Sequence, residues 1–488
     1  MSGEKATLKD GSVVDFLPEM IGDGAMKEVY FTADRKSVVC FYKDAASATD
    51  PNRMKRLDSI LGKYNPTLAR DRGGAAPNDA DAGYFRSLFC WPTGIILKPR
   101  FGLITPTYPE NFFFKVGPDF IKGKEKNGVR FLGRTNRRLL EQFAPAELGT
   151  WKDYFSLCIQ MSRAVARLHN AGLAHSDLSP NNVLVDPSGG KSIVIDIDSL
   201  VVEGLYPPDV LGTRGYIAPE VLGTIGLPLK DPLRKHPGAR TDQHALAVLI
   251  YQYLLRRHPL EGKKIANANS AEEQDMLSYG SQALFCEHPA DTSNRPEDPE
   301  YIPFHRLGTQ LADLFGRAFV KGLHAPADRP TALEWLRGLI KTWDLLVPCV
   351  NPACKQRWFV LDASADVTCP SCKARLATSH PVIKFRTERR PGQWLPDGKL
   401  VVYNNLSVFK WHAYDNLFPG PESDRTPQAY CAFHQGKWLL INQAMTSLTS
   451  PGGNRVPPGQ AVELKEGSQI RLSQEPHGRI ADVQFVPI

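Results

Sequence analysis

The eight residues His175–Asn182 read HSDLSPNN. Asp177 and Asn182 are five residues apart, and Pro180 restricts the backbone between them. A carboxylate and an amide at this spacing suit a site in which the carboxylate accepts a proton from a hydroxyl group while the amide oxygen binds a divalent cation. The alternative is a plain surface turn, because Asp, Pro and Asn are common turn residues. The flanking sequence distinguishes these two interpretations.

A third oxygen-bearing side chain follows at the end of a short strand pattern. Residues 150–171 place apolar side chains at helical spacing, and Gly172 is a suitable helix stop. Residues 192–195 then form a short apolar run that ends at Asp196, 19 residues beyond Asp177. Each acidic residue alone is an ordinary turn residue. An acid, an amide and a second acid in this order favour a cation site formed by Asn182 and Asp196.

Residues 12–43 show strand-like alternation interrupted by a glycine turn. Gly22, Gly24 and Val29 fit the pattern G-x-G-x-x-K-x-V, in which glycines let backbone N–H groups approach phosphates and Lys27 replaces a third glycine. A hairpin turn is the alternative, because G-x-G alone is a weak signal. Lys43 ends the run SVVCFYK, 21 residues after Gly22. It is either a solvated lysine or a cation for a phosphate group.

The segment after Lys43 is predicted to be helical, and an acidic residue on it would be a partner for Lys43. The pattern predicts a helix over residues 51–63, with Pro51 near its start and Gly62 near its end. The stretch holds no glutamate, so Asp58 is the candidate partner. Residues 64–92 are expected to form an irregular loop. Two more strands and a hinge at residues 107–109 follow.

Residues 212–220 (GTRGYIAPE) identify a family. They resemble the end of the activation segment of serine/threonine protein kinases, which reads G-T-x-x-Y-x-A-P-E. The stretch that begins Thr241-Asp242 resembles the start of the central buried helix of that fold, and Arg329 resembles its late arginine. The resemblance covers residues 12–343, and the order of the motifs is more specific than any one of them.

The resemblance implies a bilobal fold and a role for each matching residue. ATP and Mg²⁺ are the implied cofactors, and a protein hydroxyl group is the implied phosphate acceptor. The implied roles are ATP covering for Gly22, Gly24 and Val29, phosphate orientation for Lys43, catalytic base for Asp177, Mg²⁺ ligation for Asn182 and Asp196, a structural ion pair for Glu220 and Arg329, and anchoring of the catalytic loop for Asp242.

Three departures from the family pattern affect the expectations. Ser176 replaces an arginine that usually gathers an activation-loop phosphate, which weakens the case for control by that route. Ser179 replaces a lysine that often contacts the transferred phosphate. Asp196-Ile197-Asp198 replaces D-F-G, and Asp198 has no assigned role. Activity is still expected, because Lys43, Asp177 and both proposed metal ligands are present.

Four of the nine cysteines are clustered. Cys349, Cys354, Cys369 and Cys372 give the spacing C-x4-C-x14-C-x2-C, and four thiolates on two turns suit a tetrahedral, structural Zn²⁺. The alternative is four unrelated buried thiols. Redox chemistry of the C-P-x-C run is less favoured, because no thioredoxin-like βαβ pattern surrounds it.

From about residue 380, short strand patterns alternate with Pro, Gly and Asn turns, which favours a β-sandwich. The predicted strands cover residues 400–403, 407–411, 438–441, 461–464, 469–472 and 481–486. The run from Trp438 to Ile470 resembles the latter half of forkhead-associated domains, although the residues with which that family reads phosphothreonine are not visible. A docking module and a structural cap remain alternatives. The expected fold class is α+β: a protein-kinase-like domain over 1–343 (lobes about 1–107 and 108–343), a zinc ribbon over 344–378 and a β-sandwich over 379–488.

This domain order, the opening G-x-G-x-M-K-x-V-Y-F and the run FCWPT at 89–93 are similar to a bacterial kinase group associated with tellurite resistance and stress. The resemblance implies a partner with a von Willebrand factor A-type domain and an opposing 2C-type phosphatase. An active serine/threonine kinase is the leading hypothesis. A nucleotide-binding pseudokinase scaffold and a small-molecule or lipid-sugar kinase are the alternatives.

Composition excludes several other classes. The formal net charge of +7, from 59 basic and 52 acidic residues, is mild for 488 residues and forms no basic stripe, so no nucleic-acid partner is expected. No run of about 18 apolar residues is present, so no membrane span is expected. The first residues lack the apolar segment of a secretory signal, and a cytoplasmic location is expected.

Overall fold

The computed structural model describes residues 3–24, 26–44, 50–68, 79–132, 136–202, 205, 212–228, 230–264, 268–298, 300–362, 367–420 and 423–487. The chain divides into two compact units. The first comprises Met1–Gly149, Ser156–Asp298 and Phe315–Leu336, and the second comprises Thr150–Phe155, Pro299–Leu314 and Arg337–Ile488.

The first unit begins with a small lobe in which six antiparallel strands close into a barrel of order β1-β2-β3-β4-β6-β5. Strands β4 and β6 approach closely at Gly102, where an added Cβ would lie 2.3 Å from the carbonyl oxygen of Cys40. The elements of this lobe are β1 (Glu4–Leu8), β2 (Val13–Asp23), β3 (Lys27–Thr32), β4 (Ser37–Tyr42), β5 (Gly94–Lys98), β6 (Gly102–Pro106), α1 (Pro51–Leu61) and α2 (Asp79–Arg86).

Helix α1 agrees with the sequence prediction: Asp50 caps its N-terminus by accepting a hydrogen bond from the Asn52 N–H, and a proline follows the cap. The expected irregular loop over residues 64–92 is wrong where α2 forms. The aromatic residues at the end of α2 explain this helix, because Tyr84 and Phe85 pack beside a buried cluster that includes Trp91. Residues 69–78 lie outside the described part of the chain.

The larger lobe of this unit is mainly helical, with one β-hairpin directly after the HSDLSPNN stretch. Its central helix, α6, is buried at every position from 242 to 255, as expected for the core of the lobe. The elements between residues 136 and 343 are α3 (Asn136–Gln142), α4 (Trp151–Asn170), β7 (Val183–Asp186), β8 (Lys191–Val194), α5 (Pro219–Leu222), α6 (Ala239–Leu255), α7 (Ala271–Tyr279), α8 (Gly308–Gly316) and α9 (Ala332–Trp343). The first residues of α4, most of α8 and the second half of α9 belong to the second unit.

A buried triad of charged side chains links three separate segments of this lobe. The ammonium of Lys126 lies 2.7 Å from Glu147 Oε2 and 2.9 Å from Asp186 Oδ1, and the three side chains are only 3%, 5% and 8% exposed. Glu147 also accepts hydrogen bonds from two backbone N–H groups. One ammonium therefore faces two carboxylates in the interior, and the backbone N–H donors help to stabilise the remaining negative charge.

The second unit contains a small hairpin and two four-stranded antiparallel sheets of order β12-β11-β18-β17 and β13-β14-β15-β16. Both sheets contribute side chains to one hydrophobic core. Its elements are β9 (Leu346–Pro348), β10 (Trp358–Val360), β11 (Pro381–Arg390), β12 (Gln393–Val401), β13 (Ser407–Val408), α10 (Lys410–Ala413), β14 (Ala429–His434), β15 (Lys437–Asn442), β16 (Ala461–Glu463), β17 (Gln469–Arg471) and β18 (Ile480–Phe485).

The sequence located parts of β12, β13, β15, β16, β17 and β18 but not β11 or β14. β11 is the longest strand of its sheet and pairs with both β12 and β18. Among the described residues, no helix is both long and apolar enough to cross a membrane.

Candidate active site

The stretch HSDLSPNN forms a compact loop that ends in β7. A single 3-10 turn spans Pro180–Asn182. The Asn182 amide donates hydrogen bonds from Nδ2 to the backbone oxygen of Asp177 at 2.8 Å and to its Oδ2 at 3.0 Å. The backbone N–H of Ile195 donates to the carbonyl oxygen of Asn182 at 3.0 Å, so Asp196 follows directly from the strand beside this loop. The structure therefore brings Asp177, Asn182 and Asp196 into one region.

The buried carboxylate of Asp242, near the start of α6, holds the loop in place. It accepts hydrogen bonds from the backbone N–H groups of His175 (2.7 Å) and Ser176 (3.1 Å), and the Nε2 atom of His169 lies 3.1 Å from it. Ser176 has a φ of +67°, in the left-handed region that non-glycine residues rarely adopt. The two hydrogen bonds to Asp242 hold the backbone in that conformation.

Thr213, from the GTRGYIAPE stretch, contacts Asp177 directly. Its hydroxyl donates to Asp177 Oδ1 at 2.7 Å and lies 3.1 Å from the Ser179 hydroxyl. Gly212 has a φ of +110°, and an added Cβ there would lie 3.1 Å from the Ile217 side chain. The backbone turn at Gly212 thus delivers Thr213 to the carboxylate. No role for Thr213 was expected from the sequence.

Glu220 and Arg329 form the ion pair that the resemblance implied. The guanidinium donates from Nη1 and Nη2 to the two carboxylate oxygens, each at 2.8 Å. It also donates to the carbonyl oxygens of Gly322, Arg240 and Leu323. The Arg329 side chain is 1% exposed and that of Glu220 is 22% exposed. This arginine therefore ties together four chain segments.

The residues expected to cover ATP lie in the β2–β3 hairpin. Gly22 is paired with Val29, and the Gly24 N–H donates to the Lys27 carbonyl oxygen at 2.9 Å. Lys43 follows β4, and its ammonium contacts Asp23 Oδ1. Asp58, the candidate partner of Lys43, instead pairs with Lys9, whose ammonium lies 2.5 Å from Asp58 Oδ2.

Another lysine, Lys27, contacts the acidic residues of the site. Its ammonium lies 3.1 Å from Asp196 Oδ1 and 2.5 Å from Asp198 Oδ1, and the hydroxyl of Tyr42 donates to Asp198 Oδ2. Burial alone would lower the pKa of Lys27, but attraction to Asp198 and Asp196 outweighs it and raises that pKa. Burial would likewise raise the pKa of Asp198, yet Lys27 and Tyr42 hold it below its usual value. Both groups are therefore charged at neutral pH.

Sequence reasoning missed this cluster, although a usable signal was present. Lys27 occupies the third-glycine position of the glycine pattern, and side chains on paired strands face the same side when they are directly opposite. Lys27 lies opposite Tyr42 in the β3–β4 pair, and Val29 lies opposite Cys40. The candidate ligands Asn182 and Asp196 offer amide and carboxylate oxygens, a donor set that fits Mg²⁺.

The four clustered cysteines form a second candidate site in the second unit. Their sulfur atoms all lie within 4.8 Å of one another, with 3.5 Å between Cys349 and Cys372 and 3.8 Å between Cys354 and Cys369. Zn–S bonds of about 2.3 Å in a tetrahedron place sulfur atoms about 3.8 Å apart. The donor set therefore fits Zn²⁺ in chemistry and spacing.

Comparison with known proteins supports a relationship to protein kinases. Residues 136–338 match the model of the protein kinase domain. A 189-residue stretch is 22% identical to serine/threonine-protein kinase pkn3 of Myxococcus xanthus, covering 38% of this chain and 30% of that protein's length. The chain thus spans less than a third of this curated relative.

Two solved structures from Toxoplasma gondii also resemble the chain, each with a TM-score of 0.40 and 14% identity. One is a rhoptry antigen kinase domain, with 70% of this chain and 86% of that chain covered. The other is a virulence factor with a protein-kinase fold and no enzymatic activity, with 68% and 81% covered. The domain match therefore indicates a protein kinase fold over residues 136–338, and the similar Myxococcus protein is a serine/threonine kinase.

Proposed function

We propose that the chain is an ATP- and Mg²⁺-dependent serine/threonine protein kinase. The observation that carries the proposal is the placement of Asp177 and Asn182 on a loop anchored by Asp242, with Asp196 just beyond the end of the strand beside that loop. Phosphoryl transfer depends mostly on positioning and charge neutralisation, so an ordered set of acid, amide and acid is the main requirement.

The residues divide the task among them. Asp177 accepts the proton of the attacking hydroxyl group, and the hydrogen bonds from Asn182 and Thr213 fix the direction of its carboxylate. Charge neutralisation at the phosphates is what a bound Mg²⁺ supplies, and oxygen atoms of Asn182 and Asp196 are its proposed ligands. Residues 212–220 support a protein substrate, because this segment resembles the platform that binds protein substrates in the kinases.

The test is phosphate transfer from labelled ATP to candidate proteins in the presence of Mg²⁺. Asp177→Asn keeps the shape of the side chain but removes its basicity, so transfer should fall by at least about 100-fold. Asp291→Asn is the matched control, since Asp291 is exposed and its carboxylate accepts a hydrogen bond from the nearby Ser293 N–H. Equal transfer by Asp177→Asn and the wild type would refute the assignment.

A pseudokinase scaffold is the second candidate, and one observation favours it. Lys27 contacts Asp196, a proposed metal ligand, as well as Asp198. If this arrangement persisted with nucleotide bound, Asp196 would remain neutralised by a lysine. Nucleotide binding without transfer to any protein, sugar or lipid would support the scaffold. Transfer to a sugar or lipid alone would instead favour a small-molecule kinase.

For the second unit we propose a structural zinc ribbon and a β-sandwich that resembles forkhead-associated domains and docks partners. The spacing of the four cysteine sulfur atoms supports the zinc site, and the common core of the two sheets supports the sandwich. The proposed partners are a von Willebrand factor A-type protein and a 2C-type phosphatase in a tellurite-resistance or stress system. Co-purification from cells with and without residues 379–488 tests the docking role.

A further inference from the structure

The orientation of strands β3 and β4 separates two lysines that are close in sequence. Lys27 lies directly opposite Tyr42, so these two side chains share a face with Val29 and Cys40. Lys43 is the next residue after Tyr42, and successive side chains of an extended chain point to opposite faces. The face of Val29, which the resemblance assigns to ATP covering, is therefore the face of Lys27.

The two lysines also differ in exposure and in their acidic partners. The Lys27 side chain is 19% exposed and pairs with Asp196 and Asp198. The Lys43 side chain is 37% exposed and pairs with Asp23, which is itself 60% exposed. An ion pair this exposed is expected to contribute little to binding or stability. Lys27 is thus the lysine whose ammonium reaches a proposed metal ligand.

Asp198 gives Lys27 the acidic partner that α1 does not provide. Its side chain is mostly buried, and it receives both the Lys27 ammonium and a hydrogen bond from the Tyr42 hydroxyl. Asp58 on α1 is instead occupied by Lys9. The Lys27 side chain is therefore held at both ends. Its backbone lies in β3, and its ammonium group is bound by the buried Asp198.

We propose that Lys27, rather than Lys43, is the side chain that binds the phosphates of the nucleotide, and that Asp198 is its positioning residue, held by Tyr42. This inference rests on the proposed nucleotide-dependent function and deepens it. It explains together the lysine at the third-glycine position, the absence of a glutamate from α1, and the second aspartate of the D-I-D sequence.

The test measures binding to the full-length protein without relying on transfer. The dissociation constants of ATP and of adenosine are measured by calorimetry. The adenosine constant divided by the ATP constant gives a ratio that isolates the contribution of the phosphates. Lys27→Met should reduce this ratio by about 10- to 100-fold, the effect of losing a charge-assisted hydrogen bond. Unchanged adenosine binding shows that the cleft of the variant is intact. Lys43→Met and the exposed control Lys36→Met should retain the wild-type ratio.

A second set of variants tests the positioning role. Asp198→Asn should reduce the ATP-to-adenosine preference in the wild-type background but cause no further loss in Lys27→Met, because the two side chains act as one unit. Tyr42→Phe should have a smaller effect of the same kind. Lys27→Arg, which keeps the charge, should restore part of the preference.

Specific outcomes would overturn the proposal. These are a loss of phosphate preference in Lys43→Met with retention in Lys27→Met, or additive effects of Asp198→Asn and Lys27→Met. A wild-type protein that binds ATP no better than adenosine would also overturn it. Failure of phosphate transfer alone refutes the kinase proposal and leaves the binding prediction standing, so the two failures are distinguishable.

Discussion

Removing Arg329 should destabilise the larger lobe far more than removing an exposed arginine of the same lobe. Arg329→Met deletes two hydrogen bonds to Glu220 and leaves the carbonyl oxygens of Gly322, Arg240 and Leu323 without this donor. Each buried acceptor left unsatisfied costs about 1–3 kcal/mol, but water reaches the partly exposed Glu220 and recovers part of the loss. The expected cost is about 3–5 kcal/mol, as for other buried pairs that lose one partner.

Glu220→Gln should cost less, about 2 kcal/mol, because Arg329 keeps its three carbonyl acceptors. Arg317→Met provides the matched control. The Arg317–Glu334 pair lies in the same region of the chain with both side chains 39% exposed, and such pairs contribute at most about 1 kcal/mol.

Hydrogen exchange of α6 peptides is the suitable assay, since a chain of two units need not unfold in a single transition. A loss of about 3–5 kcal/mol corresponds to an increase of about 100- to 4,000-fold in the exchange rate of the most protected amides. Equal exchange rates in Arg329→Met and Arg317→Met would refute the reasoning that the carbonyl contacts matter.

Three further predictions concern other sites. Asp242→Asn replaces one carboxylate oxygen with an NH2 group, which cannot accept the hydrogen bond that a backbone N–H donates there. The catalytic loop should therefore lose about 1–3 kcal/mol of stabilisation, and kcat should fall at least about tenfold. An unchanged kcat would contradict this. Burial lowers the pKa of His258, whose Nε2 atom contacts the Gly215 carbonyl oxygen. The folded state therefore binds fewer protons than the unfolded state, and stability should fall as the pH drops below about 6.5. His258→Gln should weaken the pH dependence of the protection of α6 amides from hydrogen exchange, and an unaltered pH dependence would count against this. Metal analysis should find about one zinc per chain. Cys354→Ser should abolish zinc binding and increase hydrogen exchange in residues 346–376. A metal-free protein in which these residues remain fully protected from exchange would exclude the site.

The parts of the site that sequence located are those coded within a few consecutive residues. HSDLSPNN places Asp177 and Asn182 on one loop because only four residues, one of them a proline, separate the two side chains. The order of the later motifs then placed Asp242 and Glu220 in the same lobe. Helix α1 was predicted for a similar reason, since its proline and its terminal glycine lie within the segment.

The parts that escaped prediction depend on pairing between distant segments. The distance from Gly22 to Lys43 suggested a phosphate-binding lysine, but counting along the chain does not determine which face of the barrel a side chain occupies. The register of β3 against β4 determines that face, and the contact of Lys27 with Asp198 spans the two lobes.

Strand β11 escaped for a different reason. Its second half, residues 386–390, carries three arginines and a glutamate, which suppress the hydrophobic alternation of a strand. Pairing with β12 and β18 stabilises this segment, and Arg386 forms an ion pair with Asp482 of β18. Tertiary context thus overrides local composition here.

The buried triad of Lys126, Glu147 and Asp186 has a consequence for protein engineering. Its members come from three segments spread over about 60 residues of chain, and both buried carboxylates depend on Lys126 for compensation of their charge. A chimera with a related protein whose crossover point falls between residues 126 and 186 separates the triad, unless the second parent carries the same three charges. Crossover points before residue 126 or after residue 186 inherit the triad intact, and libraries of recombined sequences should be enriched in folded members at those points.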